Sequence, residues 1–324
     1  MGKNYLCIAA LAVVCASACE KNVSEAVQAD MPAVLNISLP EAMTKVTDTS
    51  GEDRVEDMQV FVFKKDGSLD AYGKAAGGHL SMSCTVGERD IVALVNAPSY
   101  TDVKDYATLL GRFSDLKDNA PGRFVMSGQT ACNVSSSTSV EVDVRRLVAR
   151  ISIASVKNEF TLPQYRDADF RITGIYLVNV AGDRMYLSGD SDGIWYNKMK
   201  NDSSSDVSGL VYSGNLDVPL MAGSSYSVTH YFYCYPNAVL SDSSDPEWSA
   251  RQTRLVVETS LDGKTYYYPV NIEGIASNHT YEISEMKITR IGSDSPDIPV
   301  SSDAVGFTVN VKDWVAGGSM EVEI

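Results

Sequence analysis

The sequence predicts an all-β protein with enough strands for two sandwiches. Three observations carry that expectation: many short β-rich stretches, turn-forming Gly, Asp, Asn and Ser between them, and almost no helical periodicity. A chain of 324 residues has a length prior of about two domains, and its 44% hydrophobic content suits a fold with real cores.

Taken in order, the chain begins with Lys3, an apolar run from Leu6 to Val14, and the small-residue box Ala16-Ser17-Ala18 ahead of Cys19. The run is too short to cross a bilayer as a stable helix, so residues 1–18 are expected to be a lipoprotein signal peptide and Cys19 the lipidation site. Pro32 to Pro40, PAVLNISLP, alternates Ala33, Leu35, Ile37 and Leu39 against Val34, Asn36 and Ser38. That period of two predicts a first strand, placed before the main fold, with one buried face. EAMTKVTDTSGEDR follows, polar and turn-rich, with Lys45 and Arg54 as its basic residues. Such a segment invites a trypsin-like protease, and a cut there would release the first strand.

The next strands are expected at Met58–Phe63, Ile91–Val95, Ser139–Val144, Leu147–Ile153, Phe170–Val178 and Ser227–Tyr235. They continue at Arg254–Ser260, Thr265–Asn271, Tyr281–Ile291 and Val305–Trp314. Lys64-Lys65-Asp66-Gly67 and Asp262-Gly263 read as hairpin turns. Val103, Tyr106, Leu109, Leu110, Phe113 and Leu116 recur at helical spacing behind Thr101, an expected N-cap, and predict the chain's one short amphipathic helix. The polar patches Asn201–Ser208 and Ser241–Asp245 are expected to be exposed loops. After Trp314, Gly317 and Gly318 lead into SMEVEI (319–324), where Met320, Val322 and Ile324 alternate with polar residues as in a strand.

A removable strand at one end and a tethered strand at the other suggest β-strand addition, in which one subunit's tail fills the groove left in the next. Burying Met320, Val322 and Ile324 would contribute about 1.5–3 kcal/mol each before entropy. Head-to-tail joints of this kind build filaments.

The formal net charge of −15 argues against nucleic acid and against docking on anionic lipid, since both need clustered Lys and Arg. Cys7 and Cys15 leave with the signal, so Cys84, Cys132 and Cys234 remain beside Cys19. They are expected to be buried small hydrophobes, and which two, if any, form a disulfide stays open.

An enzyme is the competing class, and its traces are thin. His79, His230 and His279 are far apart and form no zinc spacing, and neither a G-x-S-x-G elbow nor a phosphate-cradling glycine loop occurs. Asp190-Ser191-Asp192-Gly193 resembles part of a calcium loop, but Ser188 and Met199 stand where ligands belong, so it reads as a turn. Carboxylate pairs of the glycosidase type are a property of the fold and cannot be picked from 42 acidic residues. Tyr266-Tyr267-Tyr268 and Tyr231-Phe232-Tyr233 suit half-buried sheet positions, with a glycan platform as the alternative. No catalytic residue, metal or cofactor is expected.

The ordered set formed by the Cys19 box, Lys45, VRRLVARI (144–151), GKTYYYPVNI (263–272), NHTYEISEMKITRIGSDSPDIPV (278–300) and VNVKDW (309–314) resembles the fimbrillins. These are major subunits of lipoprotein-derived, protease-matured (type V) pili. The resemblance implies two tandem transthyretin-like β-sandwiches, 46–146 and 147–324, behind a propeptide at 19–45. It implies that Lys45–Val46 is the scissile bond, Arg54 being the alternative, and that the removed strand carries Leu35, Ile37 and Leu39. The fimbrillin cut follows an arginine, whereas this chain has lysine at the matching place. Implied partners are further copies or related pilins, a maturation protease, the outer membrane through lipid before cleavage, and a host or bacterial surface receptor. The implied location is the outer membrane for the lipidated precursor and an extracellular fimbria after cleavage. The expected function is that of a structural pilin supporting adhesion; a tip or anchor subunit, or a monomeric glycan-binding lipoprotein, is the alternative.

Overall fold

MQVFVF lies at the centre of the N-terminal half because its two faces are both apolar and serve two cores. In the computed structural model, which describes residues 31–40, 51–191, 193–199, 208–244, 248–300 and 305–314, this run belongs to β2 (Asp57–Lys64). It joins β3 (Leu69–Ala76), β5 (Gly87–Val95), β7 (Met126–Val134) and β9 (Arg145–Arg146) in a five-stranded sheet ordered β3-β2-β5-β7-β9. Across from it stands a three-stranded sheet, β4-β1-β8, of β1 (Pro32–Ser38), β4 (His79–Thr85) and β8 (Ser137–Glu141). Met58, Val60 and Val62 face this smaller sheet, while Phe61 and Phe63 join the core that runs on into the C-terminal half.

The C-terminal half packs two layers. One is a bent double sheet in which β10 (Ala149–Ile153) and β11 (Val156–Asn158) pair in parallel with β21 (His279–Ile283) and β22 (Met286–Ile288). Its outer strands are β17 (Ser225–Tyr226) and β18 (His230–Cys234) on one side and β23 (Val305–Gly306) and β24 (Val309–Asp313) on the other. The second layer is β16 (Val218–Pro219), β12 (Phe170–Val178), β19 (Arg254–Leu261) and β20 (Lys264–Asn271), in that order. Ile172, Ile175 and Leu177 of β12 share a core with Ile151, Phe232, Tyr281 and Ile283 of the facing layer. Two small ladders complete the fold: β13 (Val180–Ala181) with β15 (Trp195–Tyr196), and β14 (Asp183–Met185) with β6 (Phe113–Asp115), which ties the halves together.

The all-β expectation holds, and Phe170–Val178 is a strand with the expected bounds. Asp262 and Gly263 both take positive φ, 49° and 83°, the pair a two-residue type I′ hairpin requires between β19 and β20. In the other hairpin the Gly67 amide donates to Lys64 O at 2.9 Å, with Gly67 at φ 84°.

The helix differs from expectation. It covers only Tyr106–Leu110, here α1, and its N-cap is Asp105, not Thr101. The Asp105 carboxylate accepts from the Thr108 amide at 2.7 Å, and Gly111 ends the helix before Phe113 enters β6. Two further short helices, α2 (Pro163–Arg166) and α3 (Ser208–Val211), appear among the described residues, so one helix was too few. The long strand expected over 281–291 breaks into β21 and β22, and that over 305–314 into β23 and β24.

Of the two polar patches, most of the first lies outside the described residues. The second is not simply a loop in solvent. Asp242 takes hydrogen bonds from the Gln252 amide and the Arg251 and Arg254 guanidinium groups, and Asp297 closes the same ion cluster. Ser241 and Ser244 are exposed as expected.

Candidate functional site: the first strand and the domain junction

The first strand does not precede the fold in space; it lies inside it. β1 pairs antiparallel with β4 over seven positions, from Pro32 opposite Thr85 to Ser38 opposite His79. On its other edge it pairs in parallel with β8, from Val34 opposite Ser137 to Ser38 opposite Glu141. It is therefore the middle strand of three, and β4 and β8 reach each other only through it. Its inward residues are almost completely covered: Ala33 is 3% exposed, Leu35 0%, Ile37 2% and Leu39 1%, whereas outward Val34 is 43% exposed. They fill a core with Met58, Val60, Val62, Ile91, Ala93 and Val95. Without β1, these apolar side chains would line a trough flanked by two unpaired strand edges.

One rim of the trough is braced by a buried ion pair. Arg89 Nε donates to Asp70 Oδ2 at 2.8 Å, and the same carboxylate accepts from the Thr85 amide at 2.9 Å. Burial raises the Asp70 carboxyl, but the hydrogen bonds from Thr85 and Arg89 together outweigh it and hold the group below its ordinary value. β4 is thus pinned to the larger sheet by bonds that do not involve β1.

The second feature is the junction between the halves. Arg146, only 1% exposed, donates from Nε to Glu52 O at 3.2 Å and from Nη1 to Asn278 Oδ1 and Trp314 O, both at 3.1 Å. It also pairs with the Asp53 carboxylate and lies over the Trp314 ring, 4.4 Å from its centroid. Arg150 Nη1 donates to Glu52 Oε2 at 2.6 Å and also stacks on Trp314. Tyr233 Oη donates to Glu52 Oε1 at 2.5 Å; burial first, and the nearby Glu52 charge second, push its phenol far above the ordinary value. Phe124 closes the aromatic cluster, 4.5 Å from Tyr233 and 5.6 Å from Trp314 between ring centroids.

Of the residues singled out from the sequence, the structure places Leu35, Ile37 and Leu39 together on one buried face. Cys19, Lys45, Val46, Met320, Val322 and Ile324 lie outside the described residues. Arg54 is described: its side chain is exposed, yet its carbonyl accepts from Asn96 Nδ2 at 2.8 Å and its amide donates to Gly51 O at 3.1 Å. Cys84 and Cys234 are buried, Cys132 is half-buried, and all three are free thiols. The histidines fall on separate strands: His230 contacts Tyr226 Oη at 2.9 Å, and His279 contacts Asp313 at 3.0 Å. Phe232, Tyr233 and Tyr268 are core residues, Tyr266 and Tyr267 are half-buried, and only Tyr231 of the two aromatic runs is exposed. Asn278, beside His279, takes a left-handed turn position, with φ 59°.

The sequence reading missed the junction residues Glu52, Asp53, Arg150, Tyr233 and Trp314 as a group. A trace of them was present: the apolar run VRRLVARI carries three arginines, and any that it buries, here Arg146 and in part Arg150, must find carboxylates.

These features define an all-β sandwich protein whose distinctive site is a strand, not a cluster of reactive side chains. Residues 33–143 match the family model of the major fimbrial subunit protein (FimA), a span that takes in β1 from Ala33 onward and strands β2 to β8. That match bears out the fimbrillin resemblance read from the sequence. No curated protein matches the chain in sequence. Among solved structures it is similar to a fimbrilin (fimA) from Porphyromonas gingivalis, at 17% identity and TM-score 0.61, over 88% of this chain and 98% of that one. A candidate cell adhesion protein from Bacteroides eggerthii matches at 16% identity and TM-score 0.63, over 88% and 97%. The C-terminally truncated tip fimbrial protein Mfa3 of Porphyromonas gingivalis matches at 13% identity and TM-score 0.52, over 88% and 100%. At such identities these likenesses show a shared fold.

Proposed function

We propose that the protein is a structural subunit of a bacterial surface fimbria, exported as a lipoprotein through Cys19 and matured by a cut after Lys45. On this reading, cleavage frees β1, and the tail strand of another subunit, carrying Met320, Val322 and Ile324, takes its place. The observation that supports it most is the interior position of β1. A strand laddered on both edges and burying four apolar residues leaves, on removal, a groove that only another strand of alternating pattern can fill. The partner is then a second copy or a related pilin, and the joint is heterologous, which yields a filament. The protein's own part is binding; the bond-breaking belongs to the signal peptidase and the maturation protease.

The test is the amino-terminal sequence and intact mass of the protein recovered from the cell surface, with electron microscopy of the same material. A start at Val46 in filaments is the expected result. Acylated Cys19 at the start of every molecule would overturn the shaft reading and leave an anchor or a monomeric adhesin.

A further inference from the structure

Glu52 and Asp53 come shortly after Lys45 in sequence, yet they are the carboxylates of the buried junction that also holds Trp314, the residue just ahead of the carboxyl-terminal tail. We propose that this junction sets where the precursor can be processed: Glu52 and Asp53 stay in the mature subunit as a latch, the productive cut lies before Glu52, and Arg54 is not a processing site. The inference rests on the reading of maturation by proteolysis.

Two separate features support it. The first is access. A protease must draw the scissile peptide into an extended conformation across its active site, and the Arg54 peptide is not free to comply. Its carbonyl is bonded to Asn96, a residue 0% exposed that also donates to Phe124 O and accepts from the Glu56 amide at 2.9 Å. Releasing Arg54 therefore means pulling apart a buried asparagine network and the start of β2. The exposed Arg54 side chain is a misleading cue, because cleavage acts on backbone.

The second is charge. A cut after Arg54 would carry off both Glu52 and Asp53 and leave Arg146, at 1% exposure, and the half-buried Arg150 without those carboxylates. Removing one partner from a buried ion pair is strongly destabilising. A cut before Glu52 keeps the whole cluster and fastens the new amino-terminal end to the root of the tail. Arg146 is then a positioning residue: one guanidinium holds Glu52, Asp53 and Trp314 at the same seam.

The experiment uses the full chain, digested with limiting trypsin while the new amino termini are sequenced over time. The wild-type chain should yield the fragment beginning at Val46 first, with the Val55 end appearing about 100-fold more slowly, because it needs local opening. The double variant Glu52→Gln, Asp53→Asn should speed the Val55 cut by about tenfold or more and lower the melting temperature by about 6–20 °C. A Glu56→Ala control should leave the melting temperature unchanged within about 2 °C. Equal rates at the two sites in the wild-type chain would overturn the inference, as would a double variant that melts and cleaves like wild type. Surface-recovered protein starting at Val55 would overturn the latch while leaving maturation by proteolysis intact. Protein starting only at Cys19 would overturn both.

Discussion

Deleting the first strand offers the most direct measure of what it contributes. A chain beginning at Val46 lacks Leu35, Ile37 and Leu39, which are 0%, 2% and 1% exposed in the full-length protein. At about 1.5–3 kcal/mol for each large apolar side chain, their loss removes about 5–9 kcal/mol of burial before any ladder hydrogen bond is counted. The whole stability of a typical domain is about 5–15 kcal/mol. The shortened chain should therefore melt at least about 10 °C below the full chain, with its N-terminal half unfolding first. A synthetic peptide of residues 315–324, added at about 100 times its dissociation constant, should recover about 2.7 kcal/mol by mass action, a rise of roughly 5–10 °C. The same peptide with Asp at the position of Val322 should recover nothing. Differential scanning calorimetry of the four samples decides the matter. If the chain from Val46 melts at the full-chain temperature, the groove does not depend on β1 and the strand-replacement argument fails.

Three further outcomes are expected. Val322→Asp in the full-length protein should give a folded, cleaved monomer that forms no filaments by electron microscopy or size exclusion, because a carboxylate would enter an apolar groove without a partner. Asp70 has its folded pKa lowered beneath the 3.8 of the free side chain, so its bond to Arg89 stabilises the fold fully above that value and loses this contribution as pH falls through the lowered one. Acid unfolding followed by circular dichroism should accordingly steepen below about pH 4, and Asp70→Asn should flatten part of that dependence while lowering stability at neutral pH. Gly128→Ala should destabilise by more than about 2 kcal/mol in urea titrations, because a Cβ there would stand 1.9 Å from the Asp143 carbonyl oxygen and force two backbones apart.

What the sequence disclosed depended on how each element makes its contacts. β2 was legible because a strand buried on both faces is written as a nearly continuous apolar run, and β12 because Phe170, Ile172, Ile175 and Leu177 mark a covered face between less buried Arg171, Thr173 and Tyr176. β3, β4 and β7 escaped notice. In β4 the sequence HLSMSCT does alternate Leu80, Met82 and Cys84 inward, but serine between them weakens the β signal to the level of a loop. The Tyr106–Leu110 helix was overextended because Phe113 and Leu116 continue a helical spacing for a different reason: Phe113 lies in a strand and Leu116 opens a 3-10 turn.

The burial pattern of β1 could be read residue by residue, yet its neighbours could not. Its partners, 79–85 and 137–141, are far away in sequence, and one of them runs parallel to it. The junction was hidden for the same reason. Arg146 draws on Glu52, Asp53, Asn278 and Trp314, four residues that only the completed fold brings to one place.

The seating of β1 between two ladders also has a mechanical meaning. A strand at a sheet edge, pulled at one end, can peel away one hydrogen bond at a time. A middle strand pulled along its own axis shares the load across both ladders at once, seven facing positions on β4 and five on β8, and cannot slip without dragging Leu35, Ile37 and Leu39 through a packed interior. Resistance to such a pull is set by the rate of forced rupture and not by equilibrium affinity. Any strand lying in that slot under flow or shear would meet the load in the geometry that yields last.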